Sequence, residues 1–389
     1  MTDAFLLETA MRIAERLADA QLRDGSWPCA EMPDEESEAE RAAQLASLYS
    51  GSAGIALFLA QAADGPGRLR DAAHAGLRHA ASAAPEGARA ASLFQGSLGT
   101  AYALHRAGLA DEAARLLRTA IAAAKPHQTR LDVISGSAGA IPALLAMRGQ
   151  PGALDYAAAL GRDLCARADW EQGCCSWDAR DAAGFAAGAP LAGFSHGASG
   201  MALALLRLYE VAGDEDFLVT ARGAYAYEET LRRGGRWLDL RFVDSAAEAE
   251  AKGHWPSVWC HGAAGIALSH LEAARIDTEE AHEHLRLLAL AVQATQESLR
   301  EMLAAPRADA TLCHGIAGLC EILNLAGARE AAVEGATEIA RRYGERQDWP
   351  SGLPDGRRDL SLMLGDAGIG HAMLRLARPQ AAEPVLLIR

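Results

Sequence analysis

The chain has 389 residues, half of them apolar, and its 37 basic and 51 acidic side chains leave a formal charge of −14. That charge excludes a phosphate-tracking surface and sets nucleic acid aside as a partner, while the apolar content excludes a disordered chain. Seven cysteines without framework spacing do not form an oxidised disulfide scaffold, and aromatics at 5% offer no base-stacking platform.

From the N-terminus, Met1-Thr2-Asp3-Ala4-Phe5-Leu6-Leu7-Glu8 has no basic segment leading into an apolar run, so it does not read as a signal peptide. No uninterrupted apolar run reaches the roughly 18 residues of a spanning helix. The expectation is a soluble cytoplasmic protein with no membrane insertion.

A Gly-x-x-Gly unit then recurs seven times, each followed by an apolar run. The copies are Gly51-Ser52-Ala53-Gly54, Gly96-Ser97-Leu98-Gly99, Gly136-Ser137-Ala138-Gly139 and Gly197-Ala198-Ser199-Gly200. Gly262-Ala263-Ala264-Gly265, Gly315-Ile316-Ala317-Gly318 and Gly365-Asp366-Ala367-Gly368 complete the set. Steps between first glycines are 45, 40, 61, 65, 53 and 50 residues, enough for two helices and their loops. The run after each unit, such as Ile55 to Ala60 or Met201 to Leu206, is apolar nearly all round and predicts a helix buried on every side. Between units, Glu279 to Leu303 mixes charged residues with Leu and Ala at helical spacing, the pattern of a half-exposed helix.

These features predict an all-α chain: an α/α toroid (barrel) of seven inner and about seven outer helices, about fourteen in all. Length alone suggests two or three domains, but no linker divides the series, and a single domain over 1–389 is expected. The glycines start the inner helices and let backbones approach closely at one rim. The longer steps predict insertions at about 165–192 and 232–258.

Aligned on the first glycine, the position before it carries Ser50, Gln95, Ser135, His196, His261, His314 and Leu364. Two before it stand Tyr49, Phe94, Ile134, Ser195, Cys260, Cys313 and Met363. Reactive side chains therefore concentrate in repeats four to six, and repeat three adds Asp132. Cys260-His261 and Cys313-His314 are Cys-His pairs 53 residues apart. Two thiolates and one imidazole match a catalytic zinc that keeps a fourth position for water or substrate; small buried cysteines filling the rim are the alternative. Spacing leaves open which histidine completes the set. His196 is either a structural residue at a helix start or a base beside the metal, and Asp132 either caps the third inner helix or orients a histidine. Cys320 and His371 read as core residues on inner helices. Cys174-Cys175 lie in an insertion, and Cys29 and Cys165 have no partners by spacing.

At these residues the chain resembles the lanthionine synthetase C (LanC-type) cyclases, over most of its length from about Leu45 to the C-terminus. The marks are Trp259-Cys260-His261-Gly262, Leu312-Cys313-His314-Gly315, Gly193-Phe194-Ser195-His196-Gly197 and Ser361-Leu362-Met363. Leu206-Arg207-Leu208-Tyr209-Glu210 with Tyr227-Glu228-Glu229 is most similar to the cyclase half of class II, LanM-type lanthipeptide synthetases. The resemblance implies zinc on Cys260, Cys313 and His314, with His196 and Asp132 catalytic. His261 stands where stand-alone members tend to have tyrosine, which implies a role beside the metal or in proton transfer. The family often has an arginine shortly before the first zinc cysteine. Here the run is His254-Trp255-Pro256-Ser257-Val258, leaving His254 or Lys252 as substitutes.

The implied reaction adds a peptide cysteine thiol to dehydroalanine or dehydrobutyrine, forming the thioether of a (methyl)lanthionine ring. Its partners would be a dehydrated precursor peptide and a dehydratase, either separate or the missing N-terminal half of a longer synthetase. Met1 and the seven repeats favour a stand-alone protein. Three rivals remain at this stage: a glycosidase or carbohydrate epimerase on the same kind of toroid, a relative adding glutathione or another thiol to dehydrated proteins, and a non-catalytic scaffold holding a peptide or a synthetase partner. A glycosidase needs paired carboxylates, for which the rim offers Asp132 and Asp366.

Overall fold

The computed structural model describes residues 2–30, 37–85, 87–180, 189–243 and 245–389. Among them the chain forms sixteen α-helices. The first eight are α1 (Thr2–Asp19), α2 (Glu38–Ala46), α3 (Ser52–Ala62), α4 (Arg68–Ser82), α5 (Ser97–Arg106), α6 (Ala110–Ala123), α7 (Ser137–Ala146) and α8 (Ala153–Ala166). Then come α9 (Ala198–Ala212), α10 (Glu215–Thr230), α11 (Ala246–Lys252) and α12 (Ala263–Ile276). The series ends with α13 (Ala281–Ala304), α14 (Ile316–Leu325), α15 (Arg329–Tyr343) and α16 (Asp366–Ala377). Two small antiparallel hairpins, β1 (Asp169–Glu171) with β2 (Cys174–Ser176) and β3 (Arg232–Arg233) with β4 (Arg236–Trp237), are the strands. Both hairpins, and α11, fall in the two expected insertions, of which residues 181–188 and 244 lie outside the described residues.

All seven predicted inner helices are present: α3, α5, α7, α9, α12, α14 and α16. They are buried round most of their circumference; in α3 even Leu57, Phe58 and Leu59 are 0% exposed. Burying each such side chain contributes about 1.5–3 kcal/mol. The chain divides into two compact units, residues 1–123 with 299–388, and residues 124–298 with Arg389. In the first, inner helices neighbour one another in the order α14, α16, α3, α5, backed by α15, α1, α4 and α6 respectively. In the second, the order is α7, α9, α12, with α8 and α10 behind the first two. Behind α12 is α13, joined to it by the His270–His284 contact. The N-terminal helix α1 thus supplies the outer partner of the last inner helix, so each inner helix has one. No helix among the described residues is long and apolar enough to cross a membrane, and none of the seven cysteines is disulfide-bonded.

The repeat has a steric cause. Each inner helix is preceded by a loop that folds back on its first turn. A Cβ added at the second glycine of any of the seven units would stand 1.7 to 2.2 Å from the carbonyl oxygen six residues earlier. No side chain fits there. Gly99→Ala, whose Cβ would lie 1.7 Å from the Leu93 oxygen, is expected to cost about 2–3 kcal/mol. Gly149→Ala meets nothing within 4 Å and should stay within about 0.5 kcal/mol of wild type. Urea midpoints measure both; equal midpoints would refute the steric account.

Those loops are also stitched together along the rim. In the first unit, Cys313 N–H donates to Met363 O (3.0 Å), Met363 N–H to Tyr49 O (3.0 Å) and Tyr49 N–H to Phe94 O (2.9 Å). In the second, Val133 N–H donates to Ser195 O (2.9 Å) and Ser195 N–H to Cys260 O (3.2 Å). Apart from Val133, one residue earlier in its repeat, every residue in these chains stands two before its first glycine. Aligned sequence positions are therefore physical neighbours.

Candidate functional site

In the second unit, the structure brings Asp132, His196 and His261 together. Asp132 is 0% exposed. Its Oδ1 accepts from the Ser135 amide and hydroxyl, both at 2.8 Å, and its Oδ2 lies 2.5 Å from His196 Nδ1. Of the two readings of Asp132, the geometry takes the one in which it orients a histidine, because the N-cap of α7 is Gly136 without a side-chain bond. An ionised carboxylate only accepts, so His196 Nδ1 carries the hydrogen and Nε2 is the basic nitrogen. The His196 and His261 rings stack with centroids 5.5 Å apart and planes 29° from parallel.

The turn bearing His196 is pressed onto the Cys260 segment. Ser195 donates to the Cys260 carbonyl twice, from its amide at 3.2 Å and its hydroxyl at 2.9 Å. A Cβ at Gly193 would lie 3.2 Å from Gly262 N and 3.4 Å from His261 Cα. Gly262 itself is the one first glycine of the seven with a positive φ, +79°, which an L side chain rarely adopts. A Cβ there would also sit 1.8 Å from the Pro256 oxygen.

The first unit holds the other Cys-His pair. Cys313 is 3% exposed and its Sγ accepts a hydrogen bond of 2.9 Å from the Tyr49 hydroxyl. His314 Nδ1 is engaged by the Asp309 carboxylate, whose other oxygen accepts from the Thr311 amide at 2.8 Å. The backbone at Gly352 lies against this imidazole, since a Cβ there would be 2.4 Å from His314 Cε1. A carboxylate on Nδ1 orients the ring and raises the basicity of Nε2, the usual support for a metal-ligating histidine. A donor to sulfur is likewise the usual company of a thiolate. By residue type, cysteine thiolates and a histidine imidazole are zinc donors. No group of three or more His, Cys, Asp or Glu residues that could hold a metal ion is gathered among the described residues.

Other residues singled out in the sequence lie elsewhere. Cys320 is fully buried and Cys175 nearly so, burial pushing each thiol up to about 12; Cys175 donates to the Thr220 carbonyl at 3.2 Å. His371 is 0% exposed, with Nε2 3.1 Å from the Glu383 carbonyl, and burial pulls it down to about 3. His254 is solvent-facing, 3.5 Å from Asp239, a carboxylate already gripped by Arg241. Lys252 pairs with Glu248 at 2.8 Å. Asp366 is buried against Arg358.

Sequence reading gave no role to Tyr49 or Glu228 and did not single out Asp309. Tyr49 had a signal, since it shares its place before the glycine with Cys260 and Cys313. Asp309 had only its nearness to His314. Glu228 stood in the Tyr227-Glu228-Glu229 segment that carries part of the family resemblance, but nothing there gave this outer-helix carboxylate a role. It is 1% exposed, it accepts from the Gly193 amide at 2.8 Å and from the Ser199 hydroxyl, and burial lifts it to about 7.

The chain belongs to the lanthionine synthetase C-like protein family, whose model matches residues 43–388. It is 28% identical over 214 residues to the lacticin 481/lactococcin biosynthesis protein LcnDR2 of Lactococcus lactis subsp. lactis. That alignment takes in 51% of this chain and 22% of the relative, so the chain spans about a fifth of the relative's length. Among solved structures it is similar to nisin cyclase, at 17% identity and a TM-score of 0.66, covering 86% of this chain and 89% of that one. The fold is the expected α/α toroid.

Proposed function

We propose that this chain is a zinc-dependent lanthipeptide cyclase that adds cysteine thiols of a dehydrated precursor peptide to dehydroalanine or dehydrobutyrine. The observation that carries the reading is His196, held through Nδ1 by the buried carboxylate of Asp132 and stacked on the His261 ring. Membership of the lanthionine synthetase C-like family supports it, as does the likeness to nisin cyclase in fold. The dehydrated peptide comes from a dehydratase, a separate enzyme or the other half of a longer synthetase.

Ring formation removes the thiol proton, forms a C–S bond at the β-carbon and moves the C=C electron pair into an enolate, which then takes a proton at the α-carbon. Cys260, Cys313 and His314 are the residues that would hold zinc, and the bound ion would supply Lewis acidity that makes an incoming thiol nucleophilic near neutral pH. His196 Nε2 takes up and returns protons in this traffic. Asp132 fixes its tautomer and favours the imidazolium that results, an arrangement worth roughly 10²–10⁴-fold. His261 passes protons between His196 and the reacting peptide. Tyr49 and Asp309 orient Cys313 and His314.

The test joins metal analysis to thiol blocking, because cyclisation leaves mass unchanged. Expected are about one zinc per chain and loss of alkylatable thiol from a dehydrated peptide at constant mass. Chelation should remove both and leave far-UV helicity intact, since this core is large and does not depend on the metal. A chain that holds no zinc and leaves thiols alkylatable refutes the reading, and a peptide gaining the mass of an added thiol assigns intermolecular addition instead.

A further inference from the structure

Glu228 lies on α10, an outer helix, yet its two carboxylate oxygens grip both flanks of the turn that carries His196. Oε1 accepts from the Gly193 amide at 2.8 Å, three residues before the histidine. Oε2 accepts from the Ser199 hydroxyl, three residues after it and in the first turn of α9. A buried carboxylate is costly without compensation. The charge of Glu229 adds to the cost, and the compensation is these two donors together with the Ser199 amide. Two apolar side chains would join the helices more cheaply. What the carboxylate achieves that they would not is a fixed path for residues 193–199.

We propose that Glu228 is a positioning residue for His196, holding the 193–199 turn so that the imidazole stays on Asp132 and against His261. Ser195 secures the same turn from the other side, through its two bonds to the Cys260 carbonyl. The backbone flanking His196 is thus tied to an outer helix and to the Cys260 segment, and its ring to a buried carboxylate. The burial that lifts Glu228 to about 7 does not undo the clamp. A protonated carboxyl still accepts from Gly193 and donates to Ser199, whose hydroxyl turns to accept. Glutamine reproduces that form.

The proposal rests on the reading of His196 as the proton-transfer residue, and its test has a readout independent of that reading. In 15N-histidine-labelled protein the His196 Nδ1–H resonance, assigned by its absence from H196N, reports the bond to Asp132. E228L is expected to shift or broaden that resonance and to lower kcat for thioether formation roughly 10²-fold, the scale of a misplaced catalytic group, with KM and zinc content little changed. E228Q is expected to keep the resonance and recover the rate to within about threefold. A folded E228L with the wild-type resonance and rate overturns the proposal, and so does E228Q as impaired as E228L. Should E228L not fold, S199A removes one end of the clamp alone and must still move the resonance; an unmoved resonance overturns the proposal. If the wild-type protein forms no thioether, the cyclase reading fails, while the His196 resonance across these variants still decides for or against the clamp.

Discussion

Replacing Cys313 with alanine is expected to abolish zinc retention and thioether formation while leaving the helical content unchanged. Removing a residue that only supports a ligand typically weakens metal binding 10–100-fold, so removing one of three proposed ligands should exceed about 100-fold. The fold should survive. Cys313 is a small side chain at 3% exposure, and its loss costs the packing of one sulfur, about 1 kcal/mol. The backbone bond from residue 313 to Met363 O does not depend on the side chain. Metal analysis after dialysis, far-UV circular dichroism and the thiol-blocking assay check the three parts. Full zinc occupancy in C313A would refute the ligand assignment.

The second large effect is expected from His196→Asn, which should keep zinc and slow ring formation roughly 10²–10⁴-fold. Asparagine removes the basic nitrogen but can still donate toward Asp132, so the buried carboxylate is not stranded. Asp132 also retains both bonds from Ser135. The loss should fall on kcat more than on KM, because the group acts on developing charge and not on the resting peptide. An unchanged rate in a zinc-replete H196N protein removes His196 from the mechanism.

Much of this molecule was legible in the sequence, and the reason is local. Each Gly-x-x-Gly is demanded by a contact within six residues, as at Gly99 and Leu93, so the cause and its signature lie in the same short segment. The apolar runs of α3 or α9 are likewise a signal within one helix. The Cys-His pairs were found because the repeat supplied a register. Asp132 was ambiguous, since a carboxylate before a helix can cap it or reach elsewhere, and Gly136 as cap removed the first option.

By itself, the sequence determined the count of inner helices, their starting points and the rim positions where reactive side chains stand. It did so because packing against one's own loop, and burial on every side, restrict the residues allowed at each step of the chain. Only the tertiary structure decided that α1 backs α16, that His196 rests on Asp132 across 64 residues, that Tyr49 reaches Cys313 across 264, and that Glu228 holds Gly193 across 35. Each is a single hydrogen bond or helix pairing between segments that impose no pattern on one another. A carboxylate or phenol that makes one does not show its partner in the residues beside it.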